Sequence, residues 1–169
     1  MKKYICSAAL VLCLSAPAVA AGSMTVETSK GCSFTIKLRT DLAPKHVAQV
    51  SKLAAAGFYN GVVFHRVIDG FMAQTGDPTG TGMGGSQEPD LPAEFSAENF
   101  ARGVVGMARS QNPDSGNSQF FVMFAEGAFL NGQYTVWGNV DDAGMACVDQ
   151  ITRGEPPENP DKMIKVTVQ

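Results

Sequence analysis

At 169 residues the chain has the length of one domain. A hydrophobic fraction of 44%, a charged fraction of 17% and a net charge of −3 fit an ordinary globular protein. The pI near 5.3 and the absence of any run of like charges exclude the basic patch of a nucleic-acid binder and a charged tail.

The N-terminus differs from the rest. Lys2 and Lys3 precede an apolar run from Ile5 to Leu14, Ser15 and Pro17 break it, and Ala18-Val19-Ala20 has the small-x-small form of a cleavage site. Residues 1–20 therefore read as a secretory signal peptide, too short in its apolar run for the ~20 residues of a membrane span. Residues 21–169 form the expected mature domain, with no second apolar span. Cys6 and Cys13 leave with the signal, so Cys32 and Cys147 remain. An oxidising compartment would allow them to pair, but two separate buried thiols fit the sequence equally well. Cysteines and histidines lack metal-site spacing, and no cofactor is called for.

The mature chain opens with strand alternation. Met24, Val26 and Thr28 share one parity, and Phe34, Ile36 and Leu38 share another after a Ser29-Lys30-Gly31 turn, which predicts a hairpin. A helix is predicted from Asp41 to Ala56, with Pro44 in its first turn, Val47, Val50 and Ala54 on one face, Gly57 as its stop and His46 facing solvent. Short strands follow at Val62–Ile68, Phe71–Thr75, Val104–Ala108, Gln119–Phe124, Thr135–Val140 and Ile164–Val168, with a second helix at Met145–Thr152. The glycine-rich stretch at 80–85 lacks the Gly-Lys-Ser/Thr of a phosphate loop and reads as a flexible surface loop. About eight strands and two helices without a β-α-β rhythm predict a mainly β fold. An eight-stranded closed antiparallel barrel capped by two α-helices would remove the exposed strand edges.

Acid–base and nucleophilic chemistry is hard to find. Carboxylates are scattered without an obvious partner, no Gly-x-Ser-x-Gly elbow exists, and the adjacent His65 and Arg66 leave a strand on opposite faces. What stands out is residues 64–77, Phe-His-Arg-Val-Ile-Asp-Gly-Phe-Met-Ala-Gln-Thr-Gly-Asp, and residues 103–122, Gly-Val-Val-Gly-Met-Ala-Arg-Ser-Gln-Asn-Pro-Asp-Ser-Gly-Asn-Ser-Gln-Phe-Phe-Val. Together with Phe129-Leu130-Asn131-Gly132 and Val136-Trp137-Gly138, these resemble the signature regions of the cyclophilins, over nearly the whole mature chain.

That resemblance implies a peptidyl-prolyl cis-trans isomerase. It implies Arg66 as the catalytic arginine, and Phe71, Met72, Phe121 and Leu130 as walls of a proline pocket. Gln74 and Gln119 would contact the peptide backbone, and Ala108, Arg109 and Ser110 would form the edge along which the peptide lies. Phe129, Tyr134 and Arg109 stand where many eukaryotic members carry tryptophan, histidine and asparagine, and look like bacterial cyclophilins. Weak cyclosporin binding is therefore expected. The expected partners are proline-containing peptides and unfolded exported proteins, the expected state a monomer, and the expected compartment the periplasm. A peptide-binding chaperone module with the same groove and little catalysis is the alternative reading.

Overall fold

The computed structural model describes residues 22–169. The expected signal peptide, residues 1–20, lies outside the described residues. The described chain forms β1 (Ser23–Thr28), β2 (Ser33–Leu38), α1 (Pro44–Ala55), β3 (Arg66–Ile68), β4 (Met72–Thr75), β5 (Val104–Met107), β6 (Phe120–Met123), a single 3-10 turn (Ala128–Leu130), β7 (Val136–Val140), α2 (Asp142–Val148) and β8 (Met163–Val168). Among the described residues no helix is long and apolar enough to cross a membrane.

All eight strands join one antiparallel sheet in the order β3-β4-β6-β5-β7-β2-β1-β8. The expected closed barrel needs one correction. No ladder joins the end strands β3 and β8, and the curled sheet is spanned there only by isolated bridges, Val63 to Lys162 and Val67 to Gly154. The strand expected from Val62 shortens to Arg66–Ile68, because residues before Arg66 pair singly rather than in a ladder.

Strand alternation sorts the side chains into two cores. Facing inward are Val26, Ile36, Ala73, Val105, Phe120, Val122 and Trp137, in one large cluster with the inner face of α1. Their neighbours in sequence point the other way: Met72, Val104, Phe121, Met123 and Val136 form a second cluster with Phe100 and Leu130. Strands β5 and β6 are thus buried on both faces, which explains their unbroken apolar sequence. By contrast β2 alternates strictly between exposed and buried positions.

Helix α1 buries His46 as well as the expected Val47, Val50 and Ala54. The expectation that His46 faces solvent is therefore corrected; its side chain is 1% exposed. Ala43 supplies no side-chain cap to this helix. Instead Glu94, from a distant loop, accepts hydrogen bonds from the Lys45 amide (3.1 Å), the His46 amide (3.0 Å) and the His46 Nδ1–H (2.6 Å). A carboxylate satisfying the first-turn amides of a helix is favourable both as a cap and against the helix dipole. The second helix starts earlier than expected, because the Asp141 carboxylate caps it through the Gly144 amide (2.8 Å).

Cys32, in the β1–β2 turn, and Cys147, on α2, form a disulfide with Cα atoms 5.8 Å apart. Their sequence separation is 115 residues. A cross-link closing so long a loop restricts the unfolded chain strongly. Replacing both cysteines by serine should lower unfolding free energy by about 2–5 kcal/mol, read from urea titrations without reductant. A change below about 0.5 kcal/mol, the scatter of neutral surface substitutions, would contradict this.

Candidate active site

The cross-strand register builds the site on the outer face of the sheet. Arg66 on β3 pairs with Gln74 on β4, Gln74 with Phe121 on β6, Phe121 with Gly106 on β5, and Gly106 with Val136 on β7. Opposed residues in a sheet share a face, so one row carries a cation, an amide, an aromatic ring and a gap. His65, next to Arg66, is 6% exposed, and its ring lies beside Gly82, where an added Cβ would come within 3.5 Å of it. The gap is required. A Cβ on Gly106 would come within 2.5 Å of Phe121 Cζ and 2.7 Å of Phe100 Cε1. With glycine there, Phe121 lies back and stacks on Phe100 at 5.8 Å between centroids.

Above this floor is a cavity of about 150 Å³ lined by Arg66, Phe71, Met72, Gln74, Ala108, Arg109, Phe121, Leu130 and Tyr134. Drug-sized ligands occupy about 300–1,000 Å³, so this space suits a single side chain. Met72, Phe121 and Leu130 are almost fully buried beneath it. Tyr134 meets Phe121 edge-on, at 5.9 Å and 81°. The Arg109 guanidinium lies 4.4 Å from the Tyr134 ring centroid and donates to the carbonyls of Gln133 (2.9 Å) and Ser110 (2.9 Å). Arg109 thus fastens the loop after β5 to the segment before β7, a role for its side chain that the sequence did not suggest.

A larger cavity of about 540 Å³ adjoins the first, sharing Gln74, Ala108 and Arg109 with it. Ser110 and Gln119 line this second space. Eleven of the twelve expected site residues therefore face one connected groove. Phe129 is the exception. It is 66% exposed and packs on Phe71 at 5.4 Å, because the 3-10 turn that points Leu130 inward points Phe129 out to the rim.

The polar groups form a directed chain. Arg66 Nε donates to Glu155 Oε1 at 2.7 Å, and its Nη1 makes a longer contact, 3.5 Å, with Gln74 Oε1. Gln74 Nε2 donates to Gln119 Oε1 at 2.9 Å, and Gln119 Nε2 donates to the carbonyls of Gly82 (3.0 Å) and Gly84 (2.8 Å). The glycine-rich stretch, expected as a flexible loop, is instead tied down. Asp77, fully buried, accepts from the Thr79 amide (2.8 Å), the Thr79 hydroxyl (2.8 Å) and the Gly82 amide (2.6 Å). Burial alone would raise the Asp77 carboxyl, but bonds from Thr79 and the loop amides outweigh it and hold the group at about 2.

Sequence reasoning missed Phe100, Gly106, Asp77 and Glu155. The Asp77–Thr79 spacing is a side-chain-to-backbone turn signal that could have been found. For Glu155, one of the scattered carboxylates without an obvious partner in the sequence, only the tertiary pairing with Arg66 shows the connection.

Comparison with known proteins agrees with this geometry. Residues 23–168 match the profile of the family described as "Cyclophilin type peptidyl-prolyl cis-trans isomerase/CLD". The chain belongs to the cyclophilin family. A "Probable peptidyl-prolyl cis-trans isomerase" of Brucella suis is 58% identical over 156 residues, covering 83% of this chain and 79% of that one. The "Peptidyl-prolyl cis-trans isomerase-like 1" of Aspergillus oryzae is 39% identical over 159 residues, covering 88% and 96%. Among solved structures, a cyclophilin from Hirschia baltica superposes with a TM-score of 0.79 at 30% identity, covering 88% of this chain and 74% of that one. A Cryptosporidium parvum cyclophilin type peptidyl-prolyl cis-trans isomerase, crystallised in the presence of the dipeptide Ala-Pro, gives 0.79 at 27% identity, covering 87% and 98%.

The Asp77 carboxyl yields a prediction for this cyclophilin. Its folded value lies below its ordinary 3.8, so its stabilisation is complete above about pH 4 and is lost as pH falls toward about 2. By linkage it is worth ~2 kcal/mol. Asp77→Asn should therefore be less stable than wild type at pH 7, with the gap closing between pH 4 and 2. Urea midpoints at pH 7 and pH 2.5 test this; a gap that does not change with pH would contradict it.

Proposed function

We propose that the chain catalyses X–Pro isomerisation in extended segments of exported proteins, with the proline ring in the 150 Å³ cavity and Arg66 as the catalytic donor. The observation that carries this reading is the state of the guanidinium. Arg66 lines the cavity opposite Phe71, Met72, Phe121 and Leu130, and its Nη2 has no protein partner among the described residues.

The chemistry needs no acid, base or nucleophile. An amide bond resists rotation by about 18–20 kcal/mol because of its partial double-bond character. Twisting removes the resonance and leaves the prolyl nitrogen pyramidal, with a lone pair able to accept a hydrogen bond. A guanidinium stays protonated and can only donate. Aimed at that nitrogen, it favours the twisted amide over the planar one, which is differential binding of the transition state. Apolar walls exclude water and hold the ring while the preceding carbonyl swings. Gln74 and Gln119 offer amide groups to the flanking peptide backbone, along the edge formed by Ala108, Arg109 and Ser110.

Export is part of the proposal. The signal-like residues 1–20 support it, and so does the Cys32–Cys147 disulfide, since such bonds persist in oxidising compartments. The periplasm is the compartment we assign, with a monomer as the working form and weak affinity for cyclosporin, given Phe129 in place of tryptophan.

A protease-coupled assay on a short Ala-Pro peptide tests the reading. Wild type should turn over rapidly, and Arg66→Ala should lower kcat by about 10²–10³-fold, the usual loss for one transition-state donor. A folded wild type without turnover would favour the peptide-binding chaperone instead. The rate should also change by less than about twofold between pH 6 and 8. Burial is the largest influence on His46 and His65 and pushes both below the ordinary imidazole value, away from the middle of that window. A bell-shaped profile would contradict the mechanism.

A further inference from the structure

We propose that Glu155 is a positioning residue for Arg66, holding its guanidinium in the orientation that leaves Nη2 free for the prolyl amide. The proposal rests on the reading of Arg66 as the catalytic donor.

The fold goes to some length to put this carboxylate where it is. The loop between α2 and β8 touches β3 through one antiparallel bridge, in which Val67 N donates to Gly154 O and Gly154 N donates to Val67 O, both at 2.8 Å. In that pairing the next residues outward, Arg66 and Glu155, stand directly opposite each other. On the other side of the bridge, Arg153 Nε donates to Asp69 at 3.1 Å and its Nη1 to the carbonyls of Ile151 (2.6 Å) and Asp149 (2.8 Å). The Arg153 guanidinium also covers the Phe124 ring at 4.1 Å. Gly154 allows the chain to turn here, with φ of 150° and no room for a Cβ against the Pro157 backbone. Glu155 is therefore presented from a fastened loop rather than from a free one.

Its bond to Arg66 is the short one. Glu155 Oε1 lies 2.7 Å from Nε, whereas Gln74 Oε1 lies 3.5 Å from Nη1. An arginine side chain otherwise samples many rotamers, and a donor is effective only in the few that reach the reacting nitrogen. Both partners are substantially exposed, with side chains 42% and 52% accessible. Pairs of this kind add little to folding stability, so conservation of the fold is not what the bond achieves.

The experiment compares wild type, Glu155→Ala, Glu155→Gln, Arg66→Ala and the Glu155→Ala/Arg66→Ala double variant in the coupled peptide assay, with thermal midpoints. Glu155→Ala should lose about three- to tenfold in kcat with KM within about twofold, the signature of an interaction felt in the transition state. Its midpoint should stay within about 2 °C of wild type. Glu155→Gln, which keeps an oxygen to accept from Nε, should recover kcat to within about twofold of wild type. In the Arg66→Ala background, Glu155→Ala should cost nothing more, because the effect runs through the arginine. Turnover in wild type that Arg66→Ala lowers by about 10²–10³-fold, leaving a measurable residue, secures the underlying reading. An unchanged Glu155→Ala then overturns the role of Glu155 alone. So does a Glu155→Gln as slow as the alanine variant, a further loss in the double variant, or a kcat that falls in step with unfolding.

Discussion

A guanidinium donates hydrogen bonds and cannot accept them, and this one-way chemistry orders the polar side of the groove. Arg66 must find oxygen, so Gln74 turns its Oε1 toward it. The Gln74 amide nitrogen then faces Gln119 Oε1, and the Gln119 nitrogen faces the carbonyls of Gly82 and Gly84. The amide orientations along the chain fit both of its ends, a guanidinium that only donates and loop carbonyls that only accept. The glycine-rich loop that closes the series is held from below by Asp77. The groove is thereby organised before any peptide arrives, which is the condition under which a fixed donor is effective in catalysis.

Beneath the polar chain, the sheet supplies stiffness by being buried on both faces. Phe120 and Val122 pack inside while Phe121 and Met123 pack outside, in consecutive residues of one strand. The floor of the small cavity is therefore the back of the main core. A shift in either layer would move the other, since interiors are packed too densely to absorb it. Gly106 shows how tight this is, because Phe121 and Phe100 occupy the space its side chain would need. The apolar floor and the polar chain meet at the row Arg66, Gln74, Phe121 and Gly106, set by strand register alone.

Much of this could be read from the sequence, and the remainder could not for identifiable reasons. The β1–β2 hairpin was legible because one of its faces is wet, which leaves a period of two in the residue pattern. The groove was legible because its residues cluster in two stretches with a family order, and eleven of the twelve do line it. What escaped depends on contacts between remote positions. Glu94 caps α1 from 48 residues away and buries His46 in doing so, where the local pattern alone suggested solvent. The disulfide joins residues 115 apart, and Glu155 reaches Arg66 across 89. A carboxylate looks the same in a sequence whether it is solvated or paired. The same holds for the sheet's closure, where isolated bridges replace a ladder between β3 and β8.

In the proposed mechanism the placement of a forked donor, and not merely a positive charge at the cavity mouth, accelerates rotation about the prolyl bond. Arg66→Lys tests it most directly, because lysine keeps the charge but carries it as a point on a flexible stem. The measurement is the cis–trans exchange rate of a bound Ala-Pro peptide by NMR, with the affinity of the same peptide taken from the same titration. Affinity should stay within about threefold of wild type while exchange becomes at least about tenfold slower. Exchange as fast as wild type in Arg66→Lys would show that charge suffices, and would contradict the mechanism.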